Sequence, residues 1–348
     1  MAPRRAASLM PGSAHVSIVI TNHNYARFLG EAIDSALQQS YAPCDVIVVD
    51  DGSNDSSREV LAHYASQVQT IFKEQGGQAS ACNAGFTRCR GDVIVFLDAD
   101  DVLLPSAVAR VARGFARCPR AAKVQYRLEV VGVDGVPTGQ LIPAASASLP
   151  NGDVRHAVMD HPDDLPWAAT SGNAFPRWVL ERVMPIPTDS YASIGADMYL
   201  ANVTALFGPV VSLEEVGARY RIHGSNAYHR PQLDLGQTRM TIRLSHETHR
   251  QIWRITGGLG EPQPSPRRIG TNSLTLLAHH MISVKLDRSH HPVAGETPVQ
   301  VCAAGLGAVV RRRDRPFGLR ALYAGWFVAM TLAPGPIARR LAKTPFKR

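Results

Sequence analysis

Apolar runs alternate with polar clusters along the first hundred residues. Residues 16–20 (Val-Ser-Ile-Val-Ile), 46–49 (Val-Ile-Val-Val) and 93–97 (Val-Ile-Val-Phe-Leu) are short and rich in β-branched side chains. That pattern predicts strands covered on both faces, as in a parallel sheet. Between the first two, Phe28, Ala32, Ile33, Ala36 and Leu37 recur at helical spacing and predict an amphipathic helix. A strand–helix–strand series of this kind builds a mostly parallel sheet whose strands end along one edge. Polar residues follow each run at once: Thr21, Asn22 and His23 after the first, Asp50, Asp51, Gly52 and Ser53 after the second, Asp98, Asp100 and Asp101 after the third. They are therefore expected to meet in one cleft, at the carboxyl ends of the strands, where open α/β sheets bind ligands.

Further along, residues 69–73 predict a strand, 80–88 a helix, and 106–118 a helix led by Pro105. Residues 123–131 predict a strand that returns through an Asp134-Gly135 turn to 140–142. Residues 143–170 are rich in Ala, Ser, Pro and Asp without a sustained period, and read as a long functional loop. Order resumes at 170–175, followed by helices from 177 and over 194–207 and by strands at 209–214 and 218–222. From 235 onward the pattern is helical, at 238–255, 271–284, 299–311 and 320–332, with a Gly/Pro-rich break at 257–266. The expected organisation is a loose leader at 1–12, an α/β domain at 13–230 and a helical C-terminal extension at 231–348.

Composition narrows the class. With 45% hydrophobic and 19% charged residues over 348 positions, the chain is globular rather than disordered. Its five cysteines are odd in number and lack Cys-x-x-Cys spacing, which points to reduced thiols in a cytoplasmic protein, and no metal-binding Cys/His cluster is visible. No segment resembles a signal peptide or reaches the roughly 18–20 uninterrupted apolar residues of a membrane span. The net charge of +8 is concentrated at one end: residues 311–348 carry ten Lys or Arg against the single acid Asp314. Those charges surround Leu319, Leu322, Tyr323, Trp326, Phe327, Met330 and Leu332. Such a basic amphipathic tail fits an anionic membrane surface, met peripherally from the cytoplasmic side, better than it fits nucleic acid. A C-terminal helix packed on its own protein is the equal alternative.

Asp98 and Asp100 form an Asp-x-Asp pair. Carboxylates at a strand mouth offer hard oxygen ligands to Mg²⁺ or Mn²⁺, and such a cation usually accompanies a phosphorylated substrate. Capping of the next helix is the simpler use of the same two residues.

Six segments then appear in order: Val16-Ser17-Ile18-Val19-Ile20-Thr21-Asn22-His23-Asn24, Val48-Val49-Asp50-Asp51-Gly52-Ser53, Asn83-Ala84-Gly85, Phe96-Leu97-Asp98-Ala99-Asp100-Asp101, Gly195-Ala196-Asp197 and Tyr220-Arg221-Ile222-His223-Gly224-Ser225-Asn226. With them the chain resembles the inverting GT-A glycosyltransferases of family two, over residues 15–227. The resemblance implies an α/β nucleotide-diphospho-sugar transferase fold, a mostly parallel sheet flanked by helices, with the helical extension appended. It implies transfer of a sugar from a UDP-, GDP- or dTDP-sugar to a hydroxyl of a glycan or lipid-linked acceptor, in cell-surface polysaccharide or glycoconjugate synthesis.

The roles it implies fall on matching positions. Thr21, His23 and Asp51 would contact the nucleotide, with Gly77 and Asn83 lying over it. Asp98 would hold the ribose, and Asp100 and His223 a divalent cation, Mn²⁺ or Mg²⁺. Arg221 would contact phosphate, and Asp197 would be the catalytic base. Two positions depart from the pattern: His23 stands where the family usually has Tyr, and Ala196 where Glu often precedes the base. A processive synthase would carry membrane spans and a Gln-x-x-Arg-Trp motif, which are lacking. A nucleotidyltransferase would place a Gly-rich basic loop where Thr21-Asn22-His23-Asn24 stand. A non-catalytic sugar-nucleotide-binding or scaffold subunit is the alternative from another class, and donor turnover separates it.

Overall fold

The apolar runs lie side by side in the computed structural model, which describes residues 14–192, 194–224, 226, 233–260 and 270–343. The expected leader at 1–12 lies outside the described residues. Strand β1 (Val16–Asn22) runs between β2 (Cys44–Asp51) and β4 (Val93–Asp98), parallel to both, and β3 (Gln69–Lys73) continues the parallel set beyond β2. The register pairs Thr21 with both Val49 and Asp98, so the polar residues emerge along one edge. Beyond β4 come β8 (Asn173–Pro176), β6 (Lys123–Val131), β9 (Val210–Arg221) and the two-residue β5 (Val102–Leu103), while β7 (Pro137–Ile142) pairs with β6 as a hairpin. Strand β8 is antiparallel to both neighbours, β9 is parallel to β6, and β5 is antiparallel to β9.

Helices α1 (Ala26–Leu37), α2 (Ser57–His63), α3 (Gly77–Arg88) and α4 (Ala107–Arg117) follow the strands, with α5 (Arg155–Asp160), α6 (Arg177–Val183), α7 (Thr188–Tyr191) and α8 (Ala196–Thr204) later in the chain. Alternation along β1 divides the layers. Val16, Ile18 and Ile20 join Leu29, Ile33, Val111 and Phe115 in one core, whereas Val19 meets α3 at Gly85.

Two differences from the sequence reading have clear causes. The separate strands expected at 209–214 and 218–222 are one strand, β9. Its register against β6 jumps from Tyr126↔Leu213 to Arg127↔Val216, leaving Glu214 and Glu215 in a bulge. Gly217 follows because the Tyr126 ring fills the space a Cβ would need, at 2.4 Å. Residues 156–165, expected in the first domain, belong to the second compact unit, which otherwise comprises the residues from 226 onward.

That second unit contains α9 (Leu235–Gly258), α10 (Leu274–Leu286), α11 (Pro298–Arg311), α12 (Phe317–Leu332) and α13 (Gly335–Leu341). Its acids draw 156–165 in: Asp163 Oδ2 lies 3.0 Å from His249 Nε2, and Asp164 accepts the N–H groups of Leu274 and Thr275 at the start of α10 and pairs with Arg312. Leu277, Met281, Val301, Phe327 and Met330 form its apolar centre. No helix among the described residues is long and apolar enough to cross a membrane. All five cysteines are free.

Candidate active site

Strand β4 is buried along its length and releases Asp98 where its apolar residues stop. Asp98 Oδ1 accepts from Gln78 Nε2 at 2.8 Å and from Thr21 Oγ1 at 3.3 Å. Burial, and then the neighbouring Asp100 charge, raise its carboxyl to about 7. Asp100 Oδ2 lies 2.9 Å from His223 Nε2. The His223 ring packs against Tyr25 and Phe28, with centroids 5.3 and 5.1 Å away. Asp101 sits behind them, buried, and its carboxyl accepts from Ser171 Oγ at 2.6 Å and from the Arg221 N–H at 3.0 Å. It thereby fastens the end of β9, and so His223, to the end of β4. His23, Tyr25, Arg27, Phe28, Val133 and His223 line an open cleft of about 740 Å³.

Asp51 closes β2, on the far side of β1 from β4. Its carboxylate accepts from the N–H of Gly77 at 2.6 Å, from that of Gly76 at 3.0 and 3.1 Å, and from Lys73. The turn requires glycine: Gly77 has φ 83°, and a Cβ on Gly52 (φ 71°) would sit 2.7 Å from the Gln75 nitrogen. His23 is held to the same turn by Nδ1, 2.8 Å from the Asp51 carbonyl oxygen. Thr21, His23, Asp51, Gly77, Asp98, Asp100 and His223 are thus linked along the ends of β1, β2, β4 and β9.

Two expected nucleotide contacts are directed elsewhere. Both amide atoms of Asn83 bond the Ile186 backbone, at 2.9 and 2.8 Å, tying α3 to the segment before α7. The Arg221 guanidinium pairs with Glu31 at 2.5 Å, donates to the Asp100 carbonyl at 3.1 Å and lies over the Phe28 ring. Only 3% exposed, Arg221 braces Asp100 from behind.

Asp197 is the second residue of α8, after Gly195 at φ 93°. Burial raises its carboxyl, while the Met198 N–H and the charge of Lys123 oppose that rise. Lys123 itself was not singled out by the sequence. It opens β6 fully buried, with Nζ 4.1 Å from the Trp167 ring centroid and no hydrogen-bond partner among the described residues. Burial pushes its ammonium well below the usual lysine range. Gln78, Lys73, Tyr25 and Phe28 were also missed. Lys123 carried no distinguishing signal, because Gln125, Arg127 and Glu129 share its strand, whereas the others stand close to the strand ends.

A carboxylate and an imidazole, Asp100 and His223, make a donor pair suited to Mn²⁺ or Mg²⁺. The crowding of negative charge that lifts Asp98 is what a divalent cation would neutralise. The residues fit such an ion.

Parallel strands ending in Asp51 and in Asp98 with Asp100, and closed by His223, define the GT-A class of glycosyltransferase fold. Residues 17–141 match Glycosyl transferase family 2. The chain is similar to an uncharacterised glycosyltransferase of Nostoc sp., 36% identical over 217 residues that make up 61% of this chain and 66% of that protein. It also resembles the chondroitin synthase of Pasteurella multocida, 36% identical over 123 residues, 34% of this chain and 13% of that one. The matches span less than two thirds of either relative's length. In fold it is similar to S. aureus TarS 1–349, with TM-score 0.58 and 14% identity over 95% of this chain and 90% of that one. A mannosyltransferase from Pyrobaculum calidifontis in complex with GDP-Man and Mn²⁺ gives TM-score 0.50 and 17% identity, over 96% and 85%.

Proposed function

We propose that this glycosyltransferase moves a sugar from a nucleoside-diphosphate sugar to an acceptor hydroxyl, with inversion at the anomeric carbon and with a divalent cation. The observation that carries the reading is the Asp100–His223 pair, 2.9 Å apart, beside Asp98 and just beyond the ends of β4 and β9. The fold neighbours add support: TarS has been solved with UDP-GlcNAc and the mannosyltransferase with GDP-Man and Mn²⁺.

Asp100 and His223 would hold the cation, which when bound neutralises the diphosphate as it leaves. Thr21, His23 and the Asp51–Gly77 turn would bind the nucleoside. Asp98 would accept a ribose hydroxyl alongside Gln78. Arg221 and Asp101 keep the Asp100–His223 pair in place. Asp197 would take the acceptor's hydroxyl proton as the oxygen attacks the anomeric carbon, and the bond from that carbon to the diphosphate breaks with its electron pair on the leaving oxygen. A base of raised carboxyl suits that step. The acceptor would be a glycan or lipid-linked sugar of an envelope polysaccharide, met at a membrane surface through the basic tail.

Asp197→Asn tests the central step. Transfer should fall ~10²- to 10⁴-fold while donor and Mn²⁺ affinity stay unchanged. Near-normal transfer would move the base to another carboxylate, with Asp189 and Glu181 next to substitute. Failure of the unsubstituted protein to turn over any nucleotide sugar that it binds would favour the non-catalytic subunit.

A further inference from the structure

His280 on α10, His291 beyond its end and Glu296 just before α11 converge within the helical unit. His280 Nδ1 and His291 Nε2 each lie 2.7 Å from the same atom, Glu296 Oε2. The three possible ligand atoms all fall within 4.8 Å of one another. We propose that this cluster is a transition-metal site, taking one Zn²⁺ on two imidazoles and a carboxylate with water in the fourth position.

The far sides of both rings carry the argument. His291 Nδ1 is 2.9 Å from Ser283 Oγ, and His280 Nε2 is 3.1 Å from His246 Nε2. An imidazole that gives one nitrogen to a metal keeps its proton on the other, and that N–H needs an acceptor. Ser283 Oγ and the lone pair of His246 stand where the two acceptors belong. Burial is graded in the same sense: the His280 and His291 side chains are 7% and 2% exposed, and Glu296 is 21% exposed. The imidazoles form a fixed floor and the carboxylate a rim, leaving a direction for water and for entry of the ion.

Two imidazoles and one carboxylate around an open position are a zinc set rather than a magnesium or calcium set. Tetrahedral ligation puts ligand atoms about 3.3 Å apart, so the Glu296 carboxylate must withdraw by about 0.6 Å. It has room to do so, because residues 291–297 have no helix or strand and the side chain has several rotatable bonds. Behind it, Thr297 and Gln300 form a capping box that fixes the start of α11. The metal would therefore staple the end of α10 to the start of α11. No sequence motif announces the site, since spacings of 11 and 5 residues match no ligand pattern and the convergence depends on the turn between the helices.

The full chain carrying Asp100→Asn separates this site from the donor-side cation. After EDTA treatment, calorimetric titration should show one tight equivalent of Zn²⁺, and Co²⁺ should give the intense visible absorption of a tetrahedral site. Adding His291→Gln should remove the tight equivalent, and Ser283→Ala should weaken it about 10- to 100-fold. Absence of a tight equivalent in Asp100→Asn, or its survival unchanged in both His291→Gln and Glu296→Gln, overturns the proposal. If His291→Gln fails to fold by circular dichroism, Glu296→Gln at the rim decides in its place.

Discussion

Lys123 shows how much one buried cation can set. It has no hydrogen-bond partner among the described residues, yet its charge opposes the burial that raises Asp197. Lys123→Met keeps the apolar stem against Trp167 and removes that opposition. The Asp197 carboxyl should then rise further, and because the base works ionised, the acid limb of the kcat profile should move to higher pH. An unmoved limb with reduced kcat would show that Lys123 only packs. Asp98 titrates in a different sense. Its folded carboxyl near 7 lies above the roughly 3.9 of an unfolded chain. Protonation therefore favours the folded state: the contribution is complete below about pH 4 and is lost as pH rises through about 7. In EDTA, Tm should decline over that window, and Asp98→Asn or Mn²⁺ should flatten the decline. A pH-independent difference between the wild type and Asp98→Asn would remove Asp98 as its source. The acids themselves were legible because a carboxylate directly after five apolar residues has few structural uses. Lys123, Gln78 and Glu31 were not, because each acts through a partner distant in sequence.

At the level of elements, local pattern was informative wherever a segment buries a face of its own. The parallel strands and α1 follow directly from β-branched runs and 3.6-residue spacing. Strand β8 does not: four residues pinned between β4 and β6 owe their conformation to their neighbours. Asn83, expected over the nucleotide, and Gly85 after it both make packing contacts. Asn83 straps Ile186, and a Cβ at Gly85 would lie 2.3 Å from Val19 Cγ1 and 3.2 Å from Val49 Cγ2. Gly85→Ala sets two effects against each other. Alanine favours the helix by about 1 kcal/mol, while overpacking against β1 costs about 1–3 kcal/mol. The net should be destabilising, read as a lower midpoint in urea with unchanged nucleotide affinity. Lost nucleotide affinity at full stability would instead place Gly85 in the binding site.

For the molecule as a whole, the basic tail is the feature whose use the fold narrows most. Trp326, Phe327 and Met330 are buried in the helical unit, with Trp326 Nε1 donating to the Leu341 carbonyl at 3.0 Å, so they are not membrane anchors. Arg312 is also internal, paired with Asp164 and Asp314. The packed-helix alternative thus accounts for one face of α12. The opposite face is different: Ala321, Leu322, Gly325, Val328 and Leu332 recur at helical spacing and are exposed, with Leu322 61% and Leu332 78% accessible. Exposed Arg311 and Arg313 precede that face, and Arg339, Arg340 and Lys343 follow it; Lys347 and Arg348 lie outside the described residues. An apolar stripe bounded by cations suits an anionic bilayer surface. The full chain should sediment with phosphatidylserine vesicles and not with neutral ones, and binding should weaken as salt shortens the Debye length from about 30 Å at 0.01 M to about 8 Å at 0.15 M. Leu322→Glu with Leu332→Glu should abolish binding without changing nucleotide affinity, because the stripe belongs to the helical unit and the donor residues to the sheet. Sedimentation that ignores both lipid charge and these substitutions would mean that the stripe meets protein instead.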